Sequence, residues 1–310
     1  MSTVTMNKAA KSVSLEQAIE TVSFPVERQK LNFDLGGQKF DTAREVVYRP
    51  DKQDDNGSPL ILGYVSPNYN MVRHEDALIA AHKALTAQGI EFEMKAPQID
   101  RNGAKMYTQF EILKSYQIEN DKDILKPTLT LVNGLDGYNA LGFDLESLRL
   151  VCLNLAKAVS KDMSLRFMHS QSVSVENLPQ IVAKGLQKFE DIIVPHYRDL
   201  SKIEVSQELS VKAVAVATAQ GAIPLNVATF ARHCVESNRA EQEGIKRTAW
   251  AMFNAFTWAS TKRGFETSPT SARETRNAIG KLFADKGTGL LKAAHAVSND
   301  QLEEFLAKAA

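Results

Sequence analysis

The stretch "LTLVNGLDGYNALGFDLESLRLVCLNLAKAV", residues 129–159, contains two kinds of pattern. "PTLTLVN" (127–133) and "YNALGF" (138–143) read as strands, and Asp136-Gly137 between them is a tight-turn pair, so a hairpin is expected. From Asp144 onward the spacing turns helical: Leu148, Val151 or Cys152, Leu155 and Val159 fall on one stripe, with Asp144 as the N-cap. The fold follows from where that change of period is placed. Cys152 lies on the apolar stripe. A nucleophilic cysteine needs a depressed pKa and a nearby base, and no histidine stands close in sequence. Core packing is therefore expected of it.

Working towards the N-terminus, strand patterns dominate. "IEFEMKAPQID" and "AKMYTQFEIL" flank Asn102-Gly103, a second hairpin. "HEDALIAAHKALTAQG" predicts a helix over 74–88, with Leu78, Ala81 and Leu85 on one face and Gly89 at the C′ position. "LILGYVSPNY" reads as a strand. In "KLNFDLGGQKFDTAREVVYRP", Leu31, Phe33 and Leu35 share a face before the Gly36-Gly37 turn. Ser14 with Gln17 predicts a capped short helix in "SLEQAIETV". Towards the C-terminus, helical patterns cover roughly 176–194, 205–220, 224–238, 244–262, 270–285 and 299–309, with Pro179 and Pro224 near helix starts. The class is therefore α+β: an antiparallel-rich sheet with a covering helix, then a mostly helical C-terminal half. The expected division is a flexible N-terminus with room for a short helix (1–29), an α+β domain (30–165) and a mainly helical region (166–310) able to pack with it as one body.

Composition narrows the function classes. The 310 residues are 44% hydrophobic and 24% charged, as in folded water-soluble chains. Lys plus Arg number 37, as do Asp plus Glu, so no chain-wide charge draws the protein to nucleic acid or a membrane. Residues 1–150 carry 17 basic and 21 acidic side chains, against 20 and 16 in the remainder. Cys152 and Cys234, the only cysteines, suit buried free thiols in a reducing cytosol. A bacterial or infected-cell cytoplasm is expected, with no secretory signal and no membrane-spanning run.

Three blocks carry a resemblance. "LVNGLDGYNALGF…LRLVCLNL", "ILGYVSPNYNMVRHEDAL" and "TAWAMFNAFTWASTKRGF", in that family's order over about residues 60–280, resemble the phage- and plasmid-encoded domain-of-unknown-function family 932. Gly134 stands where that family often has Ser, and Leu155 where a Gly usually follows Asn154. The resemblance implies a mobile-element origin. The three-strands-then-helix front end is similar in fold to phage single-strand annealing proteins, a fold-level analogy.

Chemistry-bearing motifs are few. The six histidines (74, 82, 169, 196, 233 and 295) form no His-x-x-x-His, and the cysteines form no Cys-x-x-Cys, so no metal site is expected. His74 and His82 are expected at the surface or rim. Neither a Gly-x-x-x-x-Gly-Lys-Ser/Thr loop nor a Gly-x-Gly-x-x-Gly loop is present, so no nucleotide cofactor is expected. "ADKGTGLLK" reads as a helix end and turn, and Glu91, Glu93 and Lys95 as a solvated strand face. "TAWAMFNAFTWAS" is apolar nearly all round and reads as core, with Asn254 in need of a partner.

The strongest local signal is basic. Residues 245–292 hold nine Lys or Arg against Glu266, Glu274 and Asp285. Lys246, Arg247, Lys262, Arg263, Arg273 and Arg276 are the candidate nucleic-acid-binding residues. The last four bracket the hydroxyl-rich loop "GFETSPTSARE", and an exposed phosphate-contacting surface is expected there. Tyr64, Tyr69, Tyr107, Phe110, Tyr116 and Tyr138 supply aromatics on which bases could stack. The expected function is ATP-independent binding or annealing of single-stranded DNA in recombination or replication, with no catalytic residues and room for a homo-oligomer. The alternative is a non-catalytic assembly or inhibitor protein of a mobile element. A metal-dependent nuclease ranks below both.

Overall fold

The computed structural model describes residues 11–118, 124–139, 141–149, 154–156, 164–167, 178–237, 246–263 and 269–308. Helix α1 (Leu15–Val22) starts as its sequence predicts: Ser14 accepts from the Gln17 N–H, and the Gln17 side chain returns to the Ser14 N–H. Strands β1 (Glu27–Leu35), β2 (Gln38–Gln53) and β3 (Pro59–Val65) make a three-stranded antiparallel sheet in sequence order. Gly36 and Gly37, both at positive φ, turn β1 into β2.

After α2 (His74–Ala87) a larger sheet forms from β4 (Phe92–Met94), β5 (Gln98–Asp100), β6 (Lys105–Ile112), β7 (Tyr116–Gln117), β8 (Ile124–Gly134), β9 (Leu141–Arg149), β10 (Asn154–Ala156) and β11 (Ser164–Phe167). Its main path runs β10-β9-β8-β6-β4, and every described pairing is antiparallel. The turns at 102–103 and 136–137 are where the sequence places them, and Asn102, Gly103 and Gly137 all have positive φ.

The expectation of a helix from Asp144 is overturned. Residues 141–149 are a strand, and Asp144 is a buried strand residue opposite Thr130 rather than an N-cap. Leu141, Phe143 and Leu145 alternate with Gly142, Asp144 and Glu146, and the first set packs beside Leu129 and Leu131 of β8. Burying that face along a full hairpin outweighs the helical stripe that the same letters also permit. Cys152 lies outside the described residues.

One face of the large sheet is apolar: Met94, Met106, Phe110, Ile112, Leu129, Leu131, Leu141 and Phe143 pack under α1 and α2 with Val182 of α3 (Leu178–Lys188). A one-turn π segment, 189–193, leads into α4 (Val194–Leu200). Helices α5 (Gln207–Ala219), α6 (Leu225–Glu236), α7 (Ala249–Arg263), α8 (Pro269–Leu282), α9 (Thr288–His295) and α10 (Asn299–Lys308) complete the C-terminal half. The helix end and turn expected in "ADKGTGLLK" are present at 283–287, and Gly287, at positive φ, leads directly into α9.

The tryptophan helix is core, as its all-round apolarity implies. Trp250, Phe253 and Phe256 are fully buried, and the Trp250 ring packs 4.7 Å from that of Tyr197, tilted by 39°. Asn254 donates to the Trp250 carbonyl at 2.8 Å, while its Oδ1 has no hydrogen-bond partner among the described residues. Cys234 is buried on α6 and forms no disulfide.

His196 gives this half a pH dependence. Burial lowers its pKa, only partly opposed by Asp199. As pH falls below the free value of about 6.5 the unfolded chain takes up the proton first, so stability should fall there and level off below the folded value. Urea unfolding from pH 8 to 5, with His196→Gln as the flattened control, measures this.

Candidate nucleic-acid interface

Two of the motif blocks meet in space and build one corner. His74, expected at the rim, is instead buried at the start of α2. Its Nε2 lies 2.9 Å from the Gly103 carbonyl, and its Nδ1 lies 2.9 Å from the Asn133 amide nitrogen. A carbonyl only accepts and an amide nitrogen only donates, so the ring is neutral with its proton on Nε2. The same Asn133 nitrogen donates to the Val72 carbonyl, which fixes the amide orientation. Tyr69 donates to the Gly134 carbonyl at 3.0 Å from a buried position, and burial raises its phenol pKa well above the ordinary range.

Asp136 completes the frame. Its Oδ1 accepts from the Tyr138 and Asn139 backbone N–H groups and its Oδ2 from the Asn139 side chain. Gly63 and Gly137 are glycines for space: a Cβ on Gly63 would sit 2.4 Å from the Asp136 carbonyl oxygen, and one on Gly137 would sit 2.8 Å from that of Tyr64. The frame therefore clamps β3 to the β8–β9 turn.

What the clamp presents outward is aromatic and basic. Tyr138 is 83% exposed and Tyr64 46% exposed. Val46 is the strand partner of Tyr64, and Arg44, exposed at the end of a bulge in β2, stands two residues before it. Arg101 is exposed and lies 3.7 Å from Asp136. It is held at positive φ in a turn braced by His74, by Arg49 donating to the Asn102 carbonyl, and by Phe24 under the Arg49 guanidinium. A strained, non-glycine turn residue with an exposed guanidinium suits a contact role. Of the six aromatics proposed for stacking, Tyr69, Tyr107 and Phe110 are buried. Tyr116 is half-buried and donates to Glu190, so Tyr64 and Tyr138 are the two freely presented.

The chain belongs to the Domain of unknown function (DUF932) family, which it matches over residues 61–283. That span includes both blocks of the corner and the tryptophan helix. No curated protein and no solved structure matches the chain. The DUF932 match thus covers residues that build a frame, and Tyr64, Arg101 and Tyr138 are exposed residues upon it.

The basic stretch divides on inspection. Arg276 is not on an exposed surface. It is 6% exposed, in the middle of α8, with its Nε 3.5 Å from Glu146 Oε1 on β9. Nothing local in the sequence accounts for an arginine there, because its partner lies on a strand more than a hundred residues away. Arg247 is half-buried, with its Nη1 donating to the Val235 carbonyl at 3.4 Å, and Lys246 is exposed. Lys262, Arg263 and Arg273 stand on α7 and α8, with side chains outside the described residues.

The second face of the large sheet is polar. Thr128 and Thr130 stand opposite Glu146 and Asp144, and Lys105 and Tyr107 are buried on the same face. At its outer edge Lys95 pairs with Glu93 and Glu111, each at 3.1 Å, so this is an ion-paired patch rather than a simply solvated face. Among the described residues no group of three His, Cys, Asp or Glu could hold a metal ion, and no helix is long and apolar enough to cross a membrane. The open pocket between the end of α2 and α3 has Lys114 and Glu190 on its wall, already paired to each other at 2.5 Å.

Proposed function

We propose that this DUF932 chain binds single-stranded DNA without ATP, as a phage- or plasmid-derived factor in recombination or replication. The observation that carries the reading is the pair of exposed tyrosines, Tyr64 and Tyr138, on a corner stiffened by buried hydrogen bonds and flanked by Arg44 and Arg101. Unstacked bases offer π-faces to such rings, and the arginines answer the phosphates. A duplex hides those faces. Phosphate contacts from Lys246, and from Lys262, Arg263 and Arg273, would add a sequence-independent, salt-sensitive term. Arg276 has no part in it. The fold-level analogy to annealing proteins rests on the order of three antiparallel strands followed by α2.

Anisotropy of labelled single strands and duplex across a salt series tests this. Tyr64→Ala and Tyr138→Ala should each weaken single-strand binding about tenfold, whereas Tyr→Phe at either position should not. Lys246→Ala should weaken all sequences alike and flatten the salt slope by about one. A parent chain that binds no single strand at low salt rejects the reading. An assembly role is the second reading, favoured by the exposed apolar tip of the β1–β2 hairpin.

A further inference from the structure

The β1–β2 hairpin extends beyond the body of the protein. From Asn32 to Asp41 every described residue is exposed, including Phe33 (51%), Leu35 (67%) and Phe40 (41%), and the Phe33 and Phe40 rings stack at 5.5 Å. Among the described residues nothing covers this apolar surface of the strand pair. β1 is also an edge strand of its sheet. Natural proteins normally blunt a long edge of this kind unless it has a partner.

We infer that β1 pairs antiparallel with β1 of a second copy of this chain, about a two-fold axis through Asn32. The backbone sets this register. Leu35 and Gln38 flank the two-residue Gly36-Gly37 turn, so their backbone groups face each other across the hairpin. By alternation along β1 Phe33 and Leu31 also face β2; residues 42–44 of β2 bulge opposite Leu31, and there the Thr42 hydroxyl donates to the Leu31 carbonyl at 2.7 Å. Lys30, Asn32 and Asp34 therefore turn their N–H and C=O groups to the free edge.

An axis through Asn32 sets Asn32 against its own copy. It sets Lys30 against the second copy's aspartate at position 34, twice. Both charged pairs are attractive, and all of these residues lie on one face. On the other face Leu31 meets the phenylalanine at position 33, and Leu35 meets the glutamine at position 29, so the exposed apolar strip is extended and shared. Asp34 already accepts from the Gly37 N–H through Oδ1, which holds its carboxylate in place. One surface thus answers its own charge pattern, as an isologous contact requires. The inference does not depend on the nucleic-acid reading, because Tyr64 and Tyr138 are not on β1.

Sedimentation of the full chain over a concentration series, without nucleic acid, tests it. The parent should be a dimer. Asn32→Pro removes an N–H that β2 does not use, so the hairpin should survive while the dimer weakens by at least about a hundredfold. Lys30→Asp and Asp34→Lys should each give monomers, because each sets like charges face to face. Mixed together they should form a heterodimer, because two acidic positions then face two basic ones. Circular dichroism identifies any variant that has lost its fold. A monomeric parent, a dimer that Asn32→Pro leaves intact, or charge variants that do not recombine would overturn the inference.

Discussion

Replacing Arg276 by methionine is expected to lower the stability of the fold by about 3–5 kcal/mol. Arg276 and Glu146 are 6% and 2% exposed, and the pair joins α8 to β9. Glu146 Oε2 accepts from Thr130 at 3.0 Å, while among the described residues Oε1 has only the guanidinium, which meets it as an ion contact and not as an aligned hydrogen bond. Removing the cation leaves a carboxylate buried with one hydroxyl for company, and that residual charge is the main cost. Adding Glu146→Gln to Arg276→Met should restore most of the loss, because the amide keeps an acceptor for Thr130 and carries no charge. Urea denaturation of the two single variants and the double variant gives the coupling directly. Were Arg276 an exposed phosphate contact, Arg276→Met would unfold with the parent midpoint and lose DNA binding alone.

Gly63→Ala should cost about 3 kcal/mol and act locally. The added Cβ meets backbone, at 2.4–2.6 Å from the Asp136 oxygen, Cα and carbonyl carbon, so no rotamer change relieves it. Either β3 or the β8–β9 turn must move away. The Tyr69 bond to the Gly134 carbonyl would stretch, and the small core of Val26, Val47, Leu62, Val65, Ala104 and Leu135 would open. Hydrogen exchange should therefore speed up in β1–β3 and around 134–139, and little in α5–α9. Uniform loss of protection across the chain would show that the clamp is not a local device.

The sequence alone determined most of the local structure. Gly36-Gly37, Asn102-Gly103 and Asp136-Gly137 specify turns because few residues tolerate their backbone angles. Ser14 and Gln17 cap a helix within four residues, and the repeat in 249–263 declares a buried helix whatever surrounds it. These signals are short-range, so they are written where they act. Residues 141–149 are different. Their letters suit a helical stripe and a strand alternation, and only β8, presenting Leu129 and Leu131 alongside, makes the strand the better burial.

The same holds for the candidate site. Tyr64 and Tyr138 were two of six aromatics with equal claims until the tertiary fold buried Tyr69, Tyr107 and Phe110 and left these two outside. His74 looked like a rim residue because its partners, the Gly103 carbonyl and Asn133, come from two other segments. Arg276 looked like a free cation because Glu146 is distant in sequence. Burial and ion pairing depend on which surfaces meet, and that is decided by long-range packing.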